Sequence, residues 1–173
     1  MFQLMGFKNI AVLDGGFPKW KIKGYLTEKH QNLQLKKGNF TSNYQKNKIK
    51  LTNDVFSAIK DETILIADAR SKGRFYATEL EPRIEVKGGH IPNSVSMPYS
   101  EIVENGMLKS EEDLKIFFNK INPKKKEFIF SCGTGITASV LALGAEVSGV
   151  KNHAVYDGSW TEWGSTVGLP IEK

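Results

Sequence analysis

The chain has 173 residues, 24 lysines and arginines against 19 acids, a formal net charge of +5, 40% hydrophobic residues and one cysteine. No apolar run approaches the roughly 18 residues of a membrane-spanning helix, and a lone cysteine excludes an internal disulfide framework and fits a reducing, cytoplasmic setting. The lysines are scattered rather than gathered into a stripe interleaved with aromatics, so solvated surface is expected and nucleic-acid binding is not.

The chain opens with "GFKNIAVLDGGFPKW" (6–20), which predicts a short strand at Ile10 to Leu13, a turn at Asp14-Gly15-Gly16 and the start of a helix. The same stretch returns as "GVKNHAVYDGSWTEW" (149–163), with 8 of 15 positions identical, where chance gives about one. Internal repeats govern the architecture and are read first. The second copy lies close to the C-terminus and closes a domain. The first should close one too, although only five residues precede it. Residues 1–24 are therefore expected to be the tail of a truncated first domain, 25–51 a connecting segment and 52–173 the main domain. Phe2, Leu4, Met5, Ile10, Val12, Leu13, Phe17 and Trp20 must then find cover. Either the tail docks on the main domain or two chains pair as a homodimer, the arrangement slightly preferred.

Within 25–51 only "NFTSNY" (39–44) reads as a strand. "TNDVFSAIK" (52–60) predicts a short helix capped by Thr52 or Asn53. "TILIADAR" (63–70) is a continuous apolar run, the mark of a buried parallel strand, and "SVSMPYS" (94–100) is a shorter one. "SEEDLKIFFNKI" (110–121) is a helix with Ser110 and Asp113 as a capping box. "EFIFS" (127–131) is a strand, "ITASVLALGAEVSG" (136–149) a helix and "HAVYD" (153–157) the last strand. Alternating strands and helices predict an α/β fold around a mostly parallel central sheet with helices on both faces. Ligands then bind outside the carboxyl ends of the strands.

At one such end "EFIFS" runs into Cys132-Gly133-Thr134-Gly135-Ile136-Thr137 and a helix. Two glycines let the loop curl with its N–H groups inward, and the helix adds free amides and a positive dipole end. This is a cradle for an anion with a cysteine at its lip. Such surroundings lower a cysteine pKa from about 8.5 towards 3.5–7.5 and yield a nucleophilic thiolate. A lone cysteine is more often a small buried residue, but this position favours function. A phosphatase would need an arginine six residues after the cysteine, and Ala138 stands there. Three isolated histidines and one cysteine offer no metal spacing, and no cofactor is expected.

All three arginines fall between 70 and 83. Guanidinium holds carboxylates and oxyanions through two parallel bonds, as lysine cannot. Arg70 is expected to pair with a nearby acid as a strut. Arg74 and Arg83, on the following loop, are expected beside the cysteine loop. His90, in "GGHIPNS", is expected to fix a turn rather than to act as a base.

Together "VLDGGFPKW", "DARSKGRFYATELEPR", "GGHIPNSVSMPY", "CGTGITAS" and "YDGSWTEWG" resemble the rhodanese-like sulfurtransferases, specifically the tandem-domain 3-mercaptopyruvate and thiosulfate enzymes, over the whole chain. The resemblance implies that Cys132 accepts sulfur as a persulfide and passes it to a thiol or cyanide. It implies that Gly133, Thr134, Gly135, Ile136 and Thr137 form the cradle and that Arg74 and Arg83 bind the donor's carboxylate. Thiosulfate enzymes of this family carry cations after the cysteine and mercaptopyruvate enzymes carry Gly-Ser-Gly. Gly133-Thr134-Gly135 therefore favours mercaptopyruvate, with the Thr134 hydroxyl available for proton transfer. In the family some acid/base groups come from the first domain. The rival expectation is thus a catalytically partial module acting as a sulfur carrier or interaction domain.

Overall fold

The computed structural model describes residues 1–29 and 36–173, so residues 30–35 of the expected connecting segment lie outside the described residues. In chain order the elements are α1 (Gly16–Ile22), β1 (Ile49–Lys50), α2 (Thr52–Ala58), β2 (Ile64–Asp68), α3 (Lys72–Phe75), β3 (Val95–Ser96), β4 (Val103–Glu104), β5 (Met107–Leu108), α4 (Glu111–Ile121), β6 (Glu127–Ser131), α5 (Ile136–Val147), β7 (His153–Tyr156) and α6 (Ser159–Ser165). Five strands form one sheet in the order β1-β7-β6-β2-β3, parallel throughout. The pair β4 and β5 forms a separate antiparallel hairpin. Among the described residues no helix is long and apolar enough to cross a membrane.

Successive side chains of a strand point to opposite faces, and β6 divides the core accordingly. Phe128 and Phe130 pack with Leu114 and Phe118 of α4 and Leu141 and Ala145 of α5. Ile129 packs with Val55 of α2 and Trp160 and Trp163 of α6. Helices therefore cover both faces, as the alternating pattern predicts. Helix α4 starts as expected, with Ser110 Oγ accepting the Asp113 N–H at 3.1 Å.

Three local expectations are corrected. Residues 10–13 form no strand. The equivalent β7 lies between β1 and β6, whereas among the described residues 10–13 pairs with no strand. Residues 39–44 form no strand either. That stretch instead meets the N-terminal segment, with the Asn43 and Gln45 N–H groups donating to the Met5 and Leu4 carbonyls at 2.9 and 2.7 Å. Helix α2 is capped one residue before Thr52, at Leu51. Leu51 offers no side-chain acceptor, and its own N–H donates to Asp54 Oδ2 at 2.9 Å.

The repeat is real in its helical half. α1 and α6 are each seven residues long and occupy matching positions of the two copies. Both begin on a residue of positive φ, Gly16 at 58° and Ser159 at 51°. Their matching tryptophans differ in surroundings, since Trp163 is buried and Trp20 is 37% exposed. The N-terminal segment docks on the main domain through Asp14 Oδ1, which accepts the Leu108 N–H at 3.1 Å, and through Lys19, which reaches Met107 Sδ. Phe2, Val12, Leu13, Phe17 and Ile22 nevertheless stay exposed.

Candidate active site

The carboxyl end of β6 delivers Cys132 into the core rather than to a lip, at 1% exposure. Exposure rises along the loop to Thr134, so the outer part of the loop and the sulfur lie at different depths. The cause is α6, which packs directly on the loop. The Cys132 N–H donates to Ser159 Oγ at 3.1 Å, and the Cys132 and Gly133 carbonyls accept the Trp160 and Thr161 N–H groups, each at 2.9 Å. Ser159 Oγ donates to the Tyr156 carbonyl at 2.8 Å and lies 4.0 Å from Cys132 Sγ.

The expected curl is present. Gly135 holds φ at 83° ahead of α5, a left-handed conformation that costs any residue with a Cβ about 1–2 kcal/mol. A Cβ added there would also meet the Asp157 carbonyl at 3.1 Å. The Ser139 N–H reaches back to the Gly135 carbonyl at 3.1 Å. The earlier amides of the helix, on Ile136, Thr137 and Ala138, are therefore left without an intrahelical acceptor. Ile136 and Thr134 are exposed and Thr137 is half-buried.

Arg70 is the expected strut, and more firmly held than the sequence conveys. Its guanidinium donates to Asp68 at 2.7–3.1 Å, to Glu81 Oε1 and the Gly89 carbonyl at 2.7 Å each, and stacks on Trp160 at 4.4 Å. Complete burial pushes the Asp68 carboxyl up from its ordinary value, while Arg70 pulls it down. Arg74 shares Glu81, with Nη2 2.5 Å from Oε2. Arg74 also lies against the loop, because a Cβ on Gly133 would sit 3.2 Å from its Nη2. Arg83 is exposed, and among the described residues its side chain makes no hydrogen bond or ion pair. His90 is stacked on Phe75 at 3.8 Å, with Nδ1 3.0 Å from the Phe75 carbonyl, in keeping with a turn-fixing role.

A cleft of about 540 Å³ runs from Thr134, Gly135 and Ile136 along α5 and β7 to the N-terminal segment, whose Met1, Phe2 and Leu4 form part of its wall. Its polar lining is Gln3, Lys48, Thr134, Ser139, Glu146, His153 and Asp157. Lys48 pairs with Glu146 at 2.8 Å. Burial first, then Lys48, hold the His153 imidazole below its ordinary value, against the pull of Glu146. Among the described residues no group of His, Cys, Asp or Glu could hold a metal ion.

A buried cysteine thus leaves a parallel strand into a glycine loop and a helix, with the anchored Arg74 guanidinium against Gly133. The sequence profile of the Rhodanese-like domain covers residues 52–166. The chain belongs to the rhodanese-like family. It is 35% identical to the 3-mercaptopyruvate sulfurtransferase of Escherichia coli, over 99% of this chain and 61% of that protein. It is 34% identical to the mitochondrial thiosulfate/3-mercaptopyruvate sulfurtransferase 1 of Arabidopsis thaliana, over the full chain and 52% of that protein. The solved structure of SseA from Escherichia coli, described as a 3-mercaptopyruvate sulfotransferase, superimposes with a TM-score of 0.77 at 31% identity, covering 92% of this chain and 60% of that one. The chain thus spans roughly half to three fifths of the length of these relatives.

The sequence did not single out Glu81, Ser159 or Asp157 of this rhodanese-like domain. Glu81 carried a signal, as an acid set among the chain's three arginines. Ser159 carried a weaker one, as the position where the second copy of the repeat replaces Gly16. The approach of Asp157 to Gly135 depends on the alignment of β7 beside β6 and has no local signature.

Proposed function

We propose that the chain is a sulfurtransferase that moves sulfur from 3-mercaptopyruvate to a thiol or cyanide through a persulfide on Cys132. The observation that carries this reading is the meeting of Cys132, the amides opening α5 and the Arg74 guanidinium at one end of the sheet, in a rhodanese-like chain. In this reading the Cys132 thiolate attacks the donor sulfur. The new S–S bond forms as the donor's C–S bond breaks, and the electron pair leaves on carbon as pyruvate enolate, which takes up a proton. The acceptor thiolate or cyanide then attacks the outer sulfur and returns Cys132 as thiolate. Arg74, already oriented by Glu81, receives the donor carboxylate, and Arg83 closes on it from the exposed loop. Gly133, Gly135, Ile136 and Thr137 supply the cradle, and the Thr134 hydroxyl relays the proton.

Mercaptopyruvate is favoured over thiosulfate because the loop holds no cation and the anchored Arg74 suits a single carboxylate. One cysteine suits a reducing cytoplasm. The exposed apolar side chains of residues 1–24 support pairing of two chains. A second reading, a sulfur carrier that loads Cys132 without turnover, draws support from the burial of that residue.

Intact-mass measurement after incubation with mercaptopyruvate tests the proposal. The expected result is a gain of one sulfur atom, absent in Cys132→Ser and discharged by added thiol with release of pyruvate. A gain in the mutant overturns the assignment of Cys132. Loading with no multiple turnover selects the carrier.

A further inference from the structure

The segment that follows α6 closes on a turn much earlier in the chain. The His90 N–H donates to the Glu172 carbonyl at 2.8 Å, and the Glu172 N–H donates back to the His90 carbonyl at 3.0 Å. The same segment is tied to α6, where the Trp163 Nε1–H donates to the Pro170 carbonyl at 2.8 Å. The fit at the turn leaves no spare room. Gly89 holds φ at 124°, and a Cβ added there would collide with the Glu172 carbonyl oxygen and stand 2.7 Å from Ile171 Cγ2. The clasped turn holds two buried side chains of the site. The Gly89 carbonyl accepts an N–H of Arg70 Nη2 at 2.7 Å, and the Lys87 carbonyl accepts the Trp160 Nε1–H at 2.8 Å.

Both side chains lead to the cysteine loop. Trp160 donates its backbone N–H to the Cys132 carbonyl at 2.9 Å. Arg70 Nη1 donates to Glu81 Oε1 at 2.7 Å. The same oxygen accepts the Arg74 Nε–H at 3.2 Å, and the other oxygen of Glu81 pairs with Arg74 Nη2. Arg70 and Trp160 are 2% and 0% exposed, so a displaced turn would leave each with a buried N–H that has no acceptor, a costly state. Arg70 and Trp160 must therefore move with the turn. Coupling of this kind travels through contiguous hydrogen bonds and ion pairs between packed groups. We infer that residues 170–172 aim Arg74: by holding the turn at 87–90 they fix Arg70 and, through Glu81, the guanidinium that receives the donor carboxylate. Glu172 and Gly89 are then positioning residues that touch no substrate. The inference rests on the sulfurtransferase reading and deepens it by assigning the aim of the donor-binding arginine to a segment outside the site.

The test uses Glu172→Pro, which removes the N–H given to His90, and Gly89→Ala, which drives the segment off the turn. The chain has three arginines, so heteronuclear NMR shows three side-chain Nε–H signals, with that of Arg83 as the unanchored reference. In both variants the Arg74 Nε–H is expected to exchange with solvent faster than in the unaltered chain. The KM for mercaptopyruvate should rise about three- to tenfold at unchanged kcat. Should Gly89→Ala fail to fold, Glu172→Pro, which adds no atom against the segment, decides alone. Unchanged Arg74 exchange overturns the inference. So does an unchanged KM, whether kcat holds or falls in step with the folded fraction, because that marks a merely structural role. Neither result touches the assignment of Cys132. If the unaltered chain turns over no mercaptopyruvate, the sulfurtransferase reading falls by itself. Faster Arg74 exchange in the variants then still supports the clasp, and unchanged exchange overturns it.

Discussion

Arg70 satisfies two buried carboxylates and a backbone carbonyl and covers the face of Trp160. Its removal leaves Asp68 uncompensated in a low-dielectric interior and leaves Glu81 to Arg74 alone. Arg70→Met is expected to cost about 3–5 kcal/mol in urea unfolding, as for other broken buried pairs. A loss under 1 kcal/mol would mean the carboxylates are solvated after all. Arg74 and Arg83 differ in preparation. Arg74→Lys forfeits the bidentate geometry set by Glu81 and should weaken donor binding by about 1.5–3 kcal/mol, seen as a raised KM. Arg83→Lys should cost less, because that guanidinium is not held in advance. Equal effects on KM would show that the Glu81 anchor does not matter. His153 gives the fold a pH dependence of known sign. Its folded pKa is depressed by burial, so the unfolded chain binds the proton more readily. The stability it contributes is present above about pH 6.5 and is lost as pH falls below that value. Denaturation midpoints measured from pH 7.5 to 5.5 should fall, with a shallower slope in His153→Gln; identical slopes would assign the effect elsewhere.

At the level of elements, the periodic stretches were legible because burial had already shaped them. "TILIADAR" and "EFIFS" are apolar without interruption since both their faces are covered, and the Ser110 cap is a purely local device. What failed to read correctly depended on neighbours. Residues 10–13 have the composition of β7 but among the described residues pair with no strand. β1 is two residues long, shows no pattern of its own, and joins the sheet only by lying beside β7. The site follows the same division. The glycine loop and the arginine strut are local signatures, whereas the burial of Cys132 results from α6 packing on the loop from 27 positions away. Gly135 joins the two levels, since its left-handed backbone both opens α5 and clears the Asp157 carbonyl. Gly135→Ala should destabilise the fold by about 1–2 kcal/mol, lowering Tm by a few degrees, and should slow sulfur loading in step. A variant with unchanged Tm would imply that the loop relaxes freely.

At the scale of the molecule, the N-terminal segment is attached by polar hooks rather than by a core. Asp14 and Lys19 make its bonds to the main domain, and residues 4 and 5 bond to Gln45 and Asn43 of the connecting segment, while Val12, Leu13, Phe17 and Ile22 remain in water. Apolar surface of this kind is stabilised by about 25 cal/mol per Å² when covered. Pairing of two chains across it should appear in gel filtration as a concentration-dependent doubling of the 19.3 kDa mass, reversed by Phe17→Glu with Val12→Asp. A single-chain mass at every concentration would leave the docked arrangement to stand alone. The unequal surroundings of the two matching tryptophans also have an optical consequence. Trp20 should emit towards the red and be quenched by iodide, while Trp160 and Trp163 emit towards the blue and are shielded. Unfolding followed at the two wavelengths would then time the release of the segment and the melting of the sheet separately, with no added label.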